Sequence, residues 1–288
     1  MNDNGLHRVG VVGCGLMGSG IAETCARSGA DVLVAVSSAR SAEAGARRIE
    51  TSLDRAVAKG RMPEAERAFV RGRITFTTDL ADLADRQIVL EAVVEDERAK
   101  TELFARLDRI VEDPRAVLAT NTSSLPVMRM AAATGRPEHV IGTHFFNPVT
   151  AMPLVELTGC VRTAPETFER TEAFVTKMMG KEVVRSPDRA GFVVNALLVP
   201  YLMSAVRMAE SGFATAEDID RGMTLGCAHP MGPLRLADMI GLDTLARVAD
   251  GLYAEFREPL YAAPPLLLRM VEGGLLGKKS GRGFYRYD

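Results

Sequence analysis

Short apolar runs recur along the first two thirds of the chain, separated by polar stretches of helical character. Val9-Gly10-Val11-Val12 is the first of them, the pattern of a strand buried on both faces. Met17 to Arg27 follows with apolar residues at helical spacing, and Gly29 supplies a natural stop before a second strand, Val32 to Val36. Further strands are predicted at Ile74-Thr75-Phe76, Ile88-Val89-Leu90, Ala116-Val117-Leu118-Ala119, Val140-Ile141-Gly142-Thr143 and Lys181-Glu182-Val183-Val184. Ser41 to Arg73 interrupts this series. It is charged and helical in character, broken by Gly60, and its residues alone suggest a solvated helical hairpin projecting from about 41–73.

Strands alternating with helices predict an α/β fold, a Rossmann-type doubly wound parallel sheet over residues 1–187. From Phe192 onward the pattern is helical. The run Phe192 to Val206, interrupted by Asn195, Pro200 and Ser204, is too short for a bilayer and reads as a buried helix. Thr215 caps a helix over Glu217 to Met223, and Gly241 to Phe256 is amphipathic. No strand signal and no repeat occurs in the last hundred residues. The turn-forming Ser186-Pro187-Asp188-Arg189-Ala190-Gly191 places the boundary of an all-α domain, residues 188–288.

Composition narrows the partners. With 288 residues and 47% apolar content the chain can build two cores. Its 35 basic and 37 acidic residues leave a net charge of -2, which argues against nucleic acid or an anionic membrane as the main partner. Cys14, Cys25, Cys160 and Cys227 show neither a C-x-x-C pair nor metal-type spacing, so no metal site is expected and a reducing, cytoplasmic setting fits. Met1 to Arg8 has no apolar core of a signal peptide.

Two features carry chemistry. Gly13-Cys14-Gly15-Leu16-Met17-Gly18 follows the first strand and opens a helix, the context a dinucleotide loop needs. Downstream, Thr143-His144-Phe145-Phe146-Asn147-Pro148 precedes Glu156, twelve residues after the histidine. Oxidising an alcohol needs a base near neutral pKa and a hydride acceptor, and imidazole oriented by a carboxylate suits the first task. A buried histidine held by backbone is the alternative for His144.

Together these residues resemble the 3-hydroxyacyl-CoA dehydrogenase family. The resemblance runs through Val9 to Ala22, Glu91-Ala92-Val93-Val94-Glu95-Asp96, Thr120-Asn121-Thr122-Ser123-Ser124-Leu125 and His144-Phe145-Phe146-Asn147-Pro148. It continues through Gly191 to Asn195, His229-Pro230-Met231-Gly232-Pro233, Gly241-Leu242-Asp243 and Gly277 to Tyr285, in the family's order. It implies an NAD- or NADP-dependent enzyme, a homodimer acting on an acyl-CoA substrate, most similar to the stand-alone short-chain branch and without a hydratase region. By position it implies that His144 is the catalytic base, Glu156 its orienting carboxylate, and Ser123 and Asn195 the holders of the substrate. Cofactor contacts are implied at Gly13, Gly15, Leu16, Met17, Gly18, Glu95, Lys100 and Asn121. Ser52 and Lys59, seven apart on one helical face, are implied as coenzyme A contacts. Ser123 could instead begin a helix, Asn195 could be a buried amide, and Lys278 and Lys279 read as a solvated turn.

One departure bears on the cofactor. Where the family usually carries an acidic residue for the adenosine ribose, this chain has Val36, followed by Ser37, Ser38 and Arg40. A carboxylate there would bind the ribose hydroxyls and repel a 2′-phosphate; valine does neither, while Ser37 and Arg40 suit a phosphate. NADPH is therefore expected to serve at least as well as NADH. Three alternatives stand beside this reading: a β-hydroxyacid dehydrogenase of the 6-phosphogluconate type, a dehydrogenase acting on a carrier-bound acyl group, and a cofactor-binding protein without catalysis. The first uses a lysine after the domain boundary, and none lies between Gly191 and Tyr201.

Overall fold

The structure, a computed structural model, describes residues 5–287; the first four residues, on which the reading of the N-terminus partly rests, lie outside the described ones. The chain divides into two compact units after Asp188.

The first unit begins β1 (Arg8–Val12), α1 (Leu16–Arg27), β2 (Asp31–Ala35), α2 (Ala39–Ala58), α3 (Glu64–Gly72) and β3 (Ile74–Thr77). It continues β4 (Ile88–Glu91), α4 (Glu97–Ile110), β5 (Val117–Thr120), α5 (Val127–Ala132), β6 (Val140–Phe145), β7 (Leu154–Gly159), α6 (Pro165–Ala173) and β8 (Glu182–Pro187). The eight strands form one sheet in the order β3-β2-β1-β4-β5-β6-β7-β8. Ile88 and Leu90 pack into one apolar layer and Val89 into the other, as do Val117 and Ala119 against Leu118. Strands buried on both faces explain why these segments are continuous apolar runs rather than alternating ones.

The sheet is not wholly parallel. β7, which the sequence reading did not mark as a strand, runs antiparallel to β6, and β8 runs parallel to β7. Its sequence, Leu154-Val155-Glu156-Leu157-Thr158-Gly159, places a glutamate and a threonine inside the sheet, which hides the strand from an apolarity count. The inserted helices also differ from the expected solvated hairpin. Ile49, Leu53, Met62 and Val70 join the main core, so one face of α2 and α3 is buried rather than projecting. Gly60 does provide the break, with a φ of 65°.

The second unit holds α7 (Val194–Glu210), α8 (Ala216–Gly226), α9 (Pro233–Ile240), α10 (Leu242–Phe256) and α11 (Pro265–Glu272). Thr215 caps α8, its side chain accepting from the Asp218 N–H. α7 is buried on one face only: Val199, Leu202, Met203 and Val206 enter the core, whereas Leu197 is 73% exposed. The C-terminal segment is fastened by the fully buried Asp238, whose carboxylate accepts from the Phe284 and Tyr285 N–H groups. Lys279 pairs with Asp243, so the lysine turn is a structural closure. Among the described residues no helix is long and apolar enough to cross a membrane.

Candidate active site

The order of the sheet reverses direction between β1 and β4, the place where open α/β sheets bind ligands at the carboxyl ends of their strands. The glycine loop lies there. Gly13 has a φ of 91°, and a Cβ on it would meet the Ala92 carbonyl oxygen at 2.7 Å. A Cβ on Gly18 would meet the Gly13 oxygen at 2.1 Å, so α1 can start this close to β1 only with glycine. Gly15 faces open space, Leu16 is exposed and Met17 half-buried. No side chain caps α1 and no acidic residue occupies its first turn. The positive end of that helix is thus available to a pyrophosphate, and the cradle fits a dinucleotide. Burial pushes the Cys14 thiol up to about 11 despite the nearby Arg48 cation, so it stays protonated beside the loop.

β6 and β7 bring the two remaining groups together. His144 and Glu156 are directly paired in the antiparallel register, which puts both side chains on the same face. Nδ1 lies 2.7 Å from Oε2 of the fully buried Glu156. The carboxylate accepts a hydrogen bond from the Nδ1–H, and this fixes the tautomer that carries the basic lone pair on Nε2. His144 is 8% exposed and its ring leans on Phe146, with ring centroids 4.6 Å apart. Asn121 ties this end of β6 to β5, its Oδ1 accepting from the Phe145 N–H at 3.0 Å.

The turn after β5 carries Ser123. Glu95 gathers it: its carboxylate accepts from the Thr122 hydroxyl, from the Ser123 N–H at 3.0 Å and from the Ser124 hydroxyl at 3.3 Å. Burial pushes the Glu95 carboxyl up, but Lys100, Thr122 and Ser123 outweigh it and hold it below the ordinary glutamate value.

Lys100 stands beside Glu95, its Nζ 3.1 Å from Oε2. Its side chain has no exposed surface, and its ammonium is engaged by Glu91 and Glu95. Glu91, fully buried at the end of β4, was not picked out from the sequence as a functional residue. Its spacing from Lys100, nine residues across a loop and a helix, gives no periodic signal.

At the end of β2, Val36 is a buried core residue whose N–H donates to the Thr77 oxygen. Ser38 caps α2, accepting from the Ser41 N–H, so only Ser37 of the two expected hydroxyls is unengaged by the helix. Arg40 is exposed and has no carboxylate partner among the described residues. Arg48, a residue the sequence reading passed over, reaches back from α2 to the glycine loop and donates to the Cys14 oxygen at 3.2 Å. Ser52, half-buried, and Lys59, exposed at the C-cap of α2, have no hydrogen bond to the Ser123–His144 group among the described residues. Asn195 stands half-buried in the first turn of α7, in the second unit.

Residues 8–189 match the 3-hydroxyacyl-CoA dehydrogenase NAD-binding domain, and residues 191–287 match the C-terminal domain of the same family. The chain belongs to the 3-hydroxyacyl-CoA dehydrogenase family. A 3-hydroxybutyryl-CoA dehydrogenase of Mycobacterium tuberculosis is 60% identical over 282 residues, covering 98% of this chain and 99% of that protein. The crystal structure of M. tuberculosis FadB2 superimposes with a TM-score of 0.98 at 60% identity, over 99% of this chain and 100% of that one. The (S)-3-hydroxybutyryl-CoA dehydrogenase of Ralstonia eutropha superimposes with a TM-score of 0.93 at 42% identity, over 98% and 99% of the two chains. These three relatives share both domains over nearly their full length, which accounts for the order of a nucleotide-binding sheet followed by a helical unit.

Proposed function

We propose that the protein interconverts (S)-3-hydroxyacyl-CoA and 3-oxoacyl-CoA thioesters with a nicotinamide cofactor, the pair 3-hydroxybutyryl-CoA and acetoacetyl-CoA being its short-chain substrate. The cofactor, when bound, supplies the hydride acceptor or donor. The observation that carries this reading is the His144–Glu156 pair, 2.7 Å apart on the same sheet as the glycine loop.

In the oxidative direction His144 takes the substrate hydroxyl proton on Nε2, and Glu156 steadies the imidazolium that forms. In reduction the protonated imidazole returns it. Ser123, held by Glu95, and Asn195 of α7 position the oxygen-bearing end of the substrate. Ser52 and Lys59 hold the coenzyme A portion, the lysine through a phosphate. Asn121 and Glu95 border the cofactor, and Gly13, Gly15, Leu16, Met17 and Gly18 cradle its pyrophosphate. With Val36 in the core and Arg40 and Arg48 as guanidiniums on α2, NADPH serves at least as well as NADH. The enzyme is a cytoplasmic homodimer; exposed Leu197, Phe213 and Leu225 in the second unit, at 73%, 80% and 74%, favour an association face there.

The direct test is a spectrophotometric assay of the purified protein with acetoacetyl-CoA and each reduced cofactor. Turnover with at least one of them is expected. Absence of turnover with both, under conditions where the protein binds cofactor, would refute the reading.

A further inference from the structure

Lys100 is a lysine with no surface. Its side chain and that of Glu91 are each 0% exposed, and its Nζ lies 2.8 and 2.9 Å from the two Glu91 oxygens. The same ammonium is 3.1 Å from Oε2 of Glu95, which is 24% exposed. Each carboxylate has further work. Glu91 accepts from the Val93 N–H and the Thr120 hydroxyl, both at 2.7 Å, and so joins β4 to β5. Glu95 turns its other oxygen to Thr122, Ser123 and Ser124. A single cation therefore connects the fixed floor of the sheet to the turn that carries Ser123.

Stability alone does not explain such a group. A buried ion pair costs desolvation of both partners and is often matched or bettered by apolar residues of similar volume. What an apolar residue cannot do is keep Glu95 ionised, and ionisation makes all three hydrogen bonds to its Oε1 charge-assisted and so stronger. The other charges near Glu95 are engaged elsewhere. Asp96 caps α4 by accepting from the Ala99 N–H, and Glu97 pairs with Arg129. Lys100 is the cation facing Glu95, and Glu91 is the carboxylate behind it.

We infer that Lys100, anchored by Glu91, is a positioning residue: it holds Glu95 as an ionised clamp on the 122–124 turn and thereby sets where Ser123 presents its hydroxyl to the substrate. The last clause rests on the proposed role of Ser123; the clamp does not. Lys100 acts through Glu95, since its side chain has no exposed surface.

The consequence is a pH-dependent turn. Without the ammonium, burial is opposed only by hydrogen bonds, and the Glu95 carboxyl rises. Once protonated on Oε2, it loses the charge that strengthens the three hydrogen bonds to Oε1, and its hold on the turn weakens.

The experiment uses the full-length enzyme carrying Lys100→Met, Glu95→Gln or both changes. In Lys100→Met, amide exchange at Ser123 to Leu125 should quicken roughly tenfold at mildly acidic pH while the β1 and β5 amides stay protected. The acid limb of its kcat/KM profile with acetoacetyl-CoA should move to higher pH. In the double variant that limb should vanish, because glutamine does not titrate. Wild-type exchange and an unmoved limb in a folded Lys100→Met protein would overturn the proposal. If Lys100→Met fails to fold, Glu95→Gln decides alone: faster exchange confined to the turn supports the clamp, and native exchange overturns it. Ser123→Ala, assayed alongside, tests the substrate role separately. Full activity there would remove Ser123 from the substrate, and the exchange result would stand on its own.

Discussion

His144 and Glu156 occupy directly opposed positions of the β6–β7 ladder, and Nδ1 of one lies 2.7 Å from Oε2 of the other. A hairpin explains their twelve-residue separation, because two strands and a connecting loop return the chain to the same height on the sheet. Register does the rest: opposed residues in an antiparallel pair share a face, and a slip of one residue would turn Glu156 away. Both groups are buried, so the carboxylate acts in a low-dielectric setting where orientation of the imidazole is well defined.

Glu156→Gln should retain the hydrogen-bonding shape without the charge. Turnover should fall by less than in a His144 variant, with the loss in kcat and the cofactor Kd unchanged. Steady-state kinetics together with a fluorescence titration of reduced cofactor separate the two. A weakened cofactor Kd with unaltered kcat would place Glu156 outside the proton-transfer machinery.

Lys59→Ala should raise KM for acetoacetyl-CoA with kcat at saturation nearly intact, the mark of binding energy shared by ground and transition states. Because Lys59 is exposed, the wild-type KM should itself rise with salt. A KM indifferent to both changes would return Lys59 to the solvent-facing surface.

The cofactor choice turns on α2. Val36→Asp should swing the kcat/KM ratio toward NADH by placing a like charge against a 2′-phosphate, and Arg40→Ala should weaken NADPH selectively. A strong wild-type preference for NADH would mean that Arg40 and Arg48 serve the solvent and the glycine loop rather than a phosphate.

Glu95 gives a stability prediction with a definite sign. Burial raises its carboxyl, but Lys100, Thr122 and Ser123 hold the folded-state value below the ordinary one. A group depressed on folding stabilises fully above its unfolded value, about 4.3 for glutamate, and that contribution is lost as pH falls through the folded value. The wild-type Tm should therefore drop in that acidic range more steeply than the Tm of Glu95→Gln. Parallel curves would show that Glu95 is not coupled to folding.

Much of this was legible in the residues, and the gaps have physical causes. The first strands announce themselves because burial on both faces demands unbroken apolar runs, as at Val9 to Val12 and Ile88 to Leu90. β7 escaped notice because its interior holds Glu156 and Thr158, polar residues satisfied by partners on neighbouring strands. Sequence order placed His144 and Glu156 in one motif series, but only the ladder shows them opposed. The Glu91–Lys100–Glu95 arrangement is hidden for the same reason: nothing in the spacing shows that one ammonium stands between two carboxylates. The apolar face of α2, read as solvated, is sparse in sequence because Ile49 and Leu53 are separated by the polar residues Glu50, Thr51 and Ser52.

The central claim is that His144 moves the proton. The measurement is the steady-state turnover of His144→Ala and His144→Gln with acetoacetyl-CoA and reduced cofactor, with folding checked by thermal melting and cofactor binding by titration. Proton transfer by a positioned base typically contributes ~10²–10⁴-fold, so both variants should bind cofactor as the wild type does and lose turnover by a factor in that range. Near-native turnover in both folded variants would contradict the assignment and move the chemistry to another group.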